Sequence, residues 1–141
     1  MKEDTVGGPA FIYTGIRVRD MDESINFYTG VLNMTIADNR ERTEPTKDGF
    51  VTLKSRNSSQ LPELNWYTAK SPYCSEYRNG EEFGHLAFEI DDVDKWESEL
   101  HINKGVKIVI REGEIGGSIR WKETFIRDPN GILIEFLQRK N

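Results

Sequence analysis

A single cysteine, Cys74, and two histidines, His85 and His101, stand among 141 residues. One thiol closes no internal disulfide and builds no cysteine cage for zinc. Long hydrophobic runs are missing too. No stretch approaches the ~20 apolar residues that cross a bilayer, and "MKEDTVGGPA" lacks the apolar centre of a signal peptide. Nor is basic charge in excess: 19 Lys and Arg stand against 24 Asp and Glu, for a net charge of −5. The signs are interspersed, which excludes the concentrated positive footprint of a nucleic-acid binder. The expectation is a cytoplasmic protein with a small-molecule substrate and neither a membrane nor a nucleic-acid partner.

What is present suits a soluble core. Hydrophobic residues make up 36%, with seven Phe, five Tyr and three Trp, enough for one ordinary domain. From Phe11 to Arg19 the apolar residues Ile12, Ile16 and Val18 fall at even positions, a strand signal. Asp20 and Glu23 have capping-box spacing, Ile25, Tyr28 and Leu32 follow at helical intervals, and Gly30 marks the helix end. Strand-like pieces follow at Met34 to Ala37, Phe50 to Lys54 and Leu61 to Tyr67.

The second half repeats this order. Phe83 to Ile90 reads as a strand, and Asp92 or Asp94 opens a helix with Val93, Trp96 and Leu100 on one face. Gly105 closes it. Val106 to Ile110, Ile119 to Arg127 and Ile132 to Leu137 read as strands, with "RDPNG" a turn before the last. The polar segments Arg40 to Asp48, Lys70 to Glu82 and Glu112 to Ser118 read as loops that set substrate choice. "EGEIGGS" follows no strand-to-helix pattern and is a weak phosphate-loop signal. Each half thus reads strand, helix, strand, strand, strand. The expected organisation is a tail over residues 1–10 and a single domain over 11–141, with modules at about 11–69 and 83–138.

The repeat has a register. Tyr13 and His85 lie 72 apart (85 − 13), as do Asp20 and Asp92, and Glu63 and Glu135 (135 − 63). Gly30 and Gly105 differ by 75 instead, so loop lengths must compensate. Glu135 sits in "GILIEFLQ", where an unpaired carboxylate costs several kcal/mol to bury. Glu63, in "LPELNWY", reads by itself as an edge-strand residue facing water. A strand histidine by itself reads as a hydrogen-bonded core residue, and His101 as solvent-facing or a helix cap. Taken together, one imidazole and two carboxylates suit Zn, Ni, Fe, Mn or Co with positions left open. Such a cation acts as a Lewis acid on a carbonyl or enediolate oxygen while a carboxylate moves a proton on carbon.

Three stretches, "GIRVRDMDESINFYTGVLNM", "FGHLAFEIDDVD" and "FIRDPNGILIEF", resemble the vicinal oxygen chelate superfamily, and within it the glyoxalase I family, from about Phe11 to Leu137. The resemblance implies an α+β fold of two tandem βαβββ modules forming a curved, half-open eight-stranded barrel around a divalent metal (Zn, Ni, Co, Mn or Fe). Each module would supply one ligand from its first strand and one from its last, which selects Tyr13, Glu63, His85 and Glu135. It further implies isomerisation of a methylglyoxal–glutathione hemithioacetal through a metal-bound enediolate. Glu135 would be the leading proton shuttle and Glu63 its counterpart, with Arg17 near a substrate carboxylate and a homodimer completing the cleft. Arg17 reads equally as a surface ion pair with Asp20 or Glu23.

The chain also departs from that family. Tyr13 stands where the family carries His or Gln, and a neutral phenol with a pKa near ~10 is a poor ligand. Tyr13 therefore reads also as a hydrogen-bond donor to substrate or as packing. Glu81 replaces an arginine and would repel a thiol-peptide carboxylate, and Tyr67 replaces an asparagine. An acyl-thioester epimerase would use the same enolate logic. From another class, a bleomycin-type antibiotic-binding protein would line a groove with Trp66, Tyr67, Phe83, Trp121 and Tyr13 and need no metal.

Overall fold

The Asp20 carboxylate accepts a hydrogen bond from the Glu23 amide at 3.0 Å, and the Asp92 carboxylate accepts one from the Lys95 amide at 3.1 Å. These two N-caps start the helices of two matching halves. A computed structural model describes residues 8, 12–41, 47–72, 74, 76, 78, 85–115 and 120–140. The first half holds β1 (Thr14–Arg17), α1 (Met21–Gly30), β2 (Thr35–Glu41), β3 (Gly49–Lys54) and β4 (Pro62–Trp66). The second holds β5 (His85–Glu89), α2 (Val93–Ser98) with a π-helical turn at Glu99–Asn103, β6 (Ile110–Ile115), β7 (Arg120–Arg127) and β8 (Leu133–Lys140). The sheets run β1-β4-β3-β2 and β5-β8-β7-β6, the same order twice. This is an α+β fold of two βαβββ modules.

The 72-residue offset reappears in the strand register. In the parallel pair β1/β4, Gly15 lies opposite Glu63; in β5/β8, Ala87 lies opposite Glu135. The discrepant glycines have a physical explanation. The left-handed residue after the first helix is Asn33 (φ 56), and after the second it is Gly105 (φ 63). These two are 72 apart (105 − 33). Asn tolerates that conformation better than other side-chain-bearing residues, so a glycine was not required at the first site. Gly30 is simply the last helical residue of α1.

Three boundary expectations are corrected. Residues 106–109 are not a strand: β6 begins at Ile110 and runs through Ile115, which takes up most of the segment read as a loop from Glu112. Gly113, Glu114 and Ile115 pair with Glu123, Lys122 and Trp121 of β7, and an available ladder outweighs a composition rich in Gly and Glu. Arg40 and Glu41 likewise belong to β2 rather than to a loop. Strand β4 is central, between β1 and β3, so Glu63 does not face water from an edge. Phe11, Glu81, Phe83 and Ile119 lie outside the described residues, as does the 1–10 tail apart from Gly8.

One face of each sheet packs into a shared core. Ile16, Val51, Leu53 and Leu64 from the first sheet and Ile126, Ile134 and Phe136 from the second cluster with Tyr28 and Leu100 from the helical segments. Trp96 of α2 packs edge-on against Phe136 at 5.4 Å. Each such buried side chain contributes about 1.5–3 kcal/mol. Polar contacts then lock the halves together. The "RDPNG" turn packs on α1 through its buried Asp128 and Asn130: Asp128 accepts hydrogen bonds from the Tyr28 hydroxyl (2.9 Å) and the amides of Asn130 and Ile132 (2.8 Å each). Asn130 donates to Ser24 Oγ at 3.1 Å and accepts from the Arg19 amide at 2.9 Å. Lys104 Nζ donates to the Val31 carbonyl at 2.7 Å and to Asn33 Oδ1 at 3.1 Å, covering the C-terminus of α1.

Burial first, then the charge of Asp128 and the hydrogen bond to it, raise the Tyr28 pKa far above its ordinary value. The neutral phenol is the form the folded state prefers. Its contribution is therefore complete below the unfolded tyrosine pKa of ~10 and is lost as pH rises beyond it. Urea unfolding between pH 8 and 11 is expected to show stability falling more steeply above pH ~10 than in Tyr28→Phe. Parallel profiles would contradict this.

Candidate active site

Side chains alternate along each strand, so the sheet face opposite the helices carries its own set of residues. On β5, Leu86 and Phe88 pack toward the core, which turns His85, Ala87 and Glu89 to the other face. Glu135 lies directly opposite Ala87 on one side and Phe125 on the other. His85 Nε2 sits 2.9 Å from Glu135 Oε2. The imidazole is half exposed, whereas the Glu135 side chain is only 7% exposed. Phe125 stands edge-on to the imidazole, with ring centroids 6.0 Å apart. A buried carboxylate on a strand of Ile, Phe and Leu thus meets the imidazole from the neighbouring strand.

A further carboxylate joins this pair. Glu123 lies one alternate position along β7 from Phe125, opposite Leu137. Burial raises its pKa, as do the hydrogen bond to Glu135 and the charge there, while the charge of His85 acts in the opposite direction. Two carboxylates this close disfavour ionising together. Sequence reading missed Glu123. Its signal was the alternation of Trp121, Glu123 and Phe125 beside an apolar strand that already held an acid.

The equivalent corner of the first module differs. Glu63 is 2% exposed. Its Oε2 is bound by the Arg40 guanidinium and accepts a hydrogen bond from Thr52 Oγ1 at 3.2 Å. Arg40 Nε in turn lies 3.2 Å from Asp38 Oδ2. Tyr13, just before β1, is 37% exposed. Gly15 leaves room for the Asn65 amide: a Cβ there would lie 2.5 Å from Asn65 Nδ2, so a larger residue would make that side chain shift. The side-chain Oδ1 of Asn65 is buried with no hydrogen-bond partner among the described residues.

The four positions picked out by the repeat therefore occupy equivalent places in two sheets. His85 and Glu135 are brought together; Glu63 is in the other sheet beside Arg40, and Tyr13 is at the entrance to β1. Among the described residues, no group of three or more His, Cys, Asp or Glu is arranged to hold a metal ion. The chemistry of the donors still discriminates. His85 Nε2 and Glu135 Oε2 lie at hydrogen-bonding distance, 2.9 Å, and imidazole and carboxylate are both ligand types for a divalent cation. His85 and Glu135 fit such an ion.

A separate cavity of about 420 Å³ opens at the carboxyl ends of β1 and β4, lined by Arg17, Val18, Arg19, Trp66, Tyr67, Cys74 and Glu76. The Arg17 guanidinium lies over the Tyr67 ring, 5.5 Å from its centre. Of the aromatics expected to face a ligand, Trp66 and Tyr67 line this cavity. Trp121 lies elsewhere, 5.1 Å beneath the Arg139 guanidinium. His85, Glu63 and Glu135 do not line it. His101 is exposed in the π-helical turn.

The doubled βαβββ order, with a buried glutamate on each last strand, defines a class of fold, and comparison with known proteins agrees. The family model of the Glyoxalase/Bleomycin resistance protein/Dioxygenase superfamily matches residues 10–136, and the chain belongs to that superfamily. A probable lactoylglutathione lyase of Vibrio cholerae is 32% identical over 133 residues, covering 92% of this chain and 90% of the relative. The lactoylglutathione lyase of Neisseria meningitidis serogroup A is 30% identical over 136 residues, with 92% and 91% covered. Among solved structures, the trypanothione-dependent glyoxalase I of Leishmania major superposes with a TM-score of 0.70 at 27% identity, covering 93% of this chain and 87% of that one. Within the superfamily, then, this chain is a lactoylglutathione lyase-like enzyme. No helix among the described residues is long and apolar enough to cross a membrane.

Proposed function

We propose that the chain isomerises the hemithioacetal formed by methylglyoxal and a thiol, with Glu135 as the group that moves the proton between adjacent carbons. The observation that carries this reading is the buried Glu135 carboxylate with His85 Nε2 2.9 Å away. Glu135 would accept the proton from the carbinol carbon and return it to its neighbour, which requires a base held close to the substrate and screened from water. His85 fixes the oxygen that does this. His85, Glu135 and Glu63 are the residues that would hold a divalent cation (Zn, Ni, Co, Mn or Fe). When bound, such an ion supplies Lewis-acid stabilisation of the negative charge that develops on substrate oxygen.

The same reading assigns the thiol's carboxylate to Arg17, above Tyr67 at the cavity, and outer substrate contacts to Tyr13 and Trp121. Glu76 on the cavity wall favours thiols that also carry an amine. The modules at about 11–69 and 83–138, within a homodimer that completes the cleft, are part of this proposal. Elemental analysis and a glutathione hemithioacetal assay test it. Stoichiometric divalent metal and turnover are expected, with turnover abolished by chelation and restored by adding the ion back. Protein that holds no metal and turns nothing over would instead support a ligand-sequestering role.

A further inference from the structure

We infer that Arg40 is a resident competitor for the Glu63 carboxylate, so that a divalent cation engages Glu63 fully only by displacing the guanidinium. This rests on the reading of Glu63 as a ligand, and it assigns Arg40 control over how tightly the ion is held.

The argument starts from the sheet. Asp38, Thr52, Glu63 and Gly15 form one row across β2, β3, β4 and β1, each opposite the next. A register shift between Ile36 and Asp38 sets that row, and such irregularities re-aim side chains. Arg40, two residues on, shares the face of Asp38 and reaches back along it. Its Nε is held 3.2 Å from Asp38, and its Nη2 binds Glu63 Oε2. Thr52 adds a bond to the same oxygen.

Glu63 is all but buried while Arg40 is half exposed, so the cation can swing into solvent and the carboxylate cannot. Among the described residues the second module is arranged differently: Phe125 stands opposite Glu135, where Thr52 stands opposite Glu63, and Glu135 has His85 and Glu123 beside it. One glutamate is thus paired to a potential ligand and the other to a positive charge that a metal must replace. A binding-competent state populated only part of the time weakens apparent affinity by that fraction. A charge-assisted pair of this kind corresponds to about a ten- to hundredfold effect.

Titration calorimetry of chelator-stripped full-length protein with Zn²⁺ and with Ni²⁺ tests this. Arg40→Met is expected to bind about ten- to a hundredfold more tightly than wild type. In a Glu63→Gln background the same substitution is expected to change nothing. Arg40→Lys, which keeps a charge near the buried carboxylate but lacks the guanidinium fork, is expected to fall between the two and serves if Arg40→Met does not fold. Unchanged or weaker binding in Arg40→Met, or a gain that persists with Glu63→Gln, overturns the inference while leaving the metal reading intact. If neither wild type nor any variant binds metal, both fall.

Discussion

Glu135→Gln is expected to lower hemithioacetal turnover by about 10²- to 10⁴-fold, the range a positioned general base contributes. The substitution keeps the shape and leaves an oxygen to accept from His85, and metal content measured beside turnover separates loss of the base from loss of the ion. Folding is expected to survive. Glutamine removes a carboxylate from a strand lined by Ile134 and Phe136, both essentially buried, and relieves the crowding of charge with Glu123. The decisive measurements are kcat and KM from initial rates, with a thermal melt as control: kcat falls, KM changes little, and the melting temperature does not drop. A kcat within threefold of wild type would remove Glu135 from the chemistry. The direction of the stability change is informative as well, because a purely structural carboxylate would destabilise the protein when lost.

Asp128→Ala is expected to have the largest effect on stability, about 3–4 kcal/mol. Three donors converge on this one carboxylate: the Tyr28 hydroxyl and the amides of Asn130 and Ile132. Alanine leaves all three unsatisfied beside a residue that is itself fully buried. Unsatisfied buried donors cost about 1–3 kcal/mol each before relaxation and water entry. For a chain of this length the change corresponds to a fall of roughly 10 °C in Tm. Asp128→Asn retains an acceptor for the amides and is expected to lose about half as much. Denaturant melts of the two variants check this, and a loss below about 1 kcal/mol in Asp128→Ala would show that the turn does not tie the halves together. The site is remote from Glu135 in role, so kcat of the folded fraction is expected to remain near wild type.

Both predictions concern residues visible in the sequence, but they were visible to different degrees. Glu135 stood out because an acid inside "GILIEFLQ" conflicts with its neighbours, a purely local signal. Asp128 was legible only as part of a turn. Its grip on Tyr28 spans 100 residues, and no local pattern encodes that. The helix starts at Asp20 and Asp92 were readable because a cap acts within three residues. The edge of β6 was not, because Gly and Glu disfavour strands until β7 offers a ladder. Gly30 misled the repeat by three residues, since glycine is the common left-handed residue but Asn33 takes that conformation here.

The sequence by itself determined the doubled strand–helix–strand order and its 72-residue register, and it singled out Glu135 and His85, which the structure pairs. Each of these depends on spacing along the chain and on side-chain chemistry that acts over a few residues. Tertiary structure alone decided that Glu63 is interior rather than at an edge, that Arg40 reaches it, and that Glu123 stands beside Glu135. Those facts depend on which strands become neighbours and in what register. That choice is made by burying two sheets and two helices around one core, and not by any single segment.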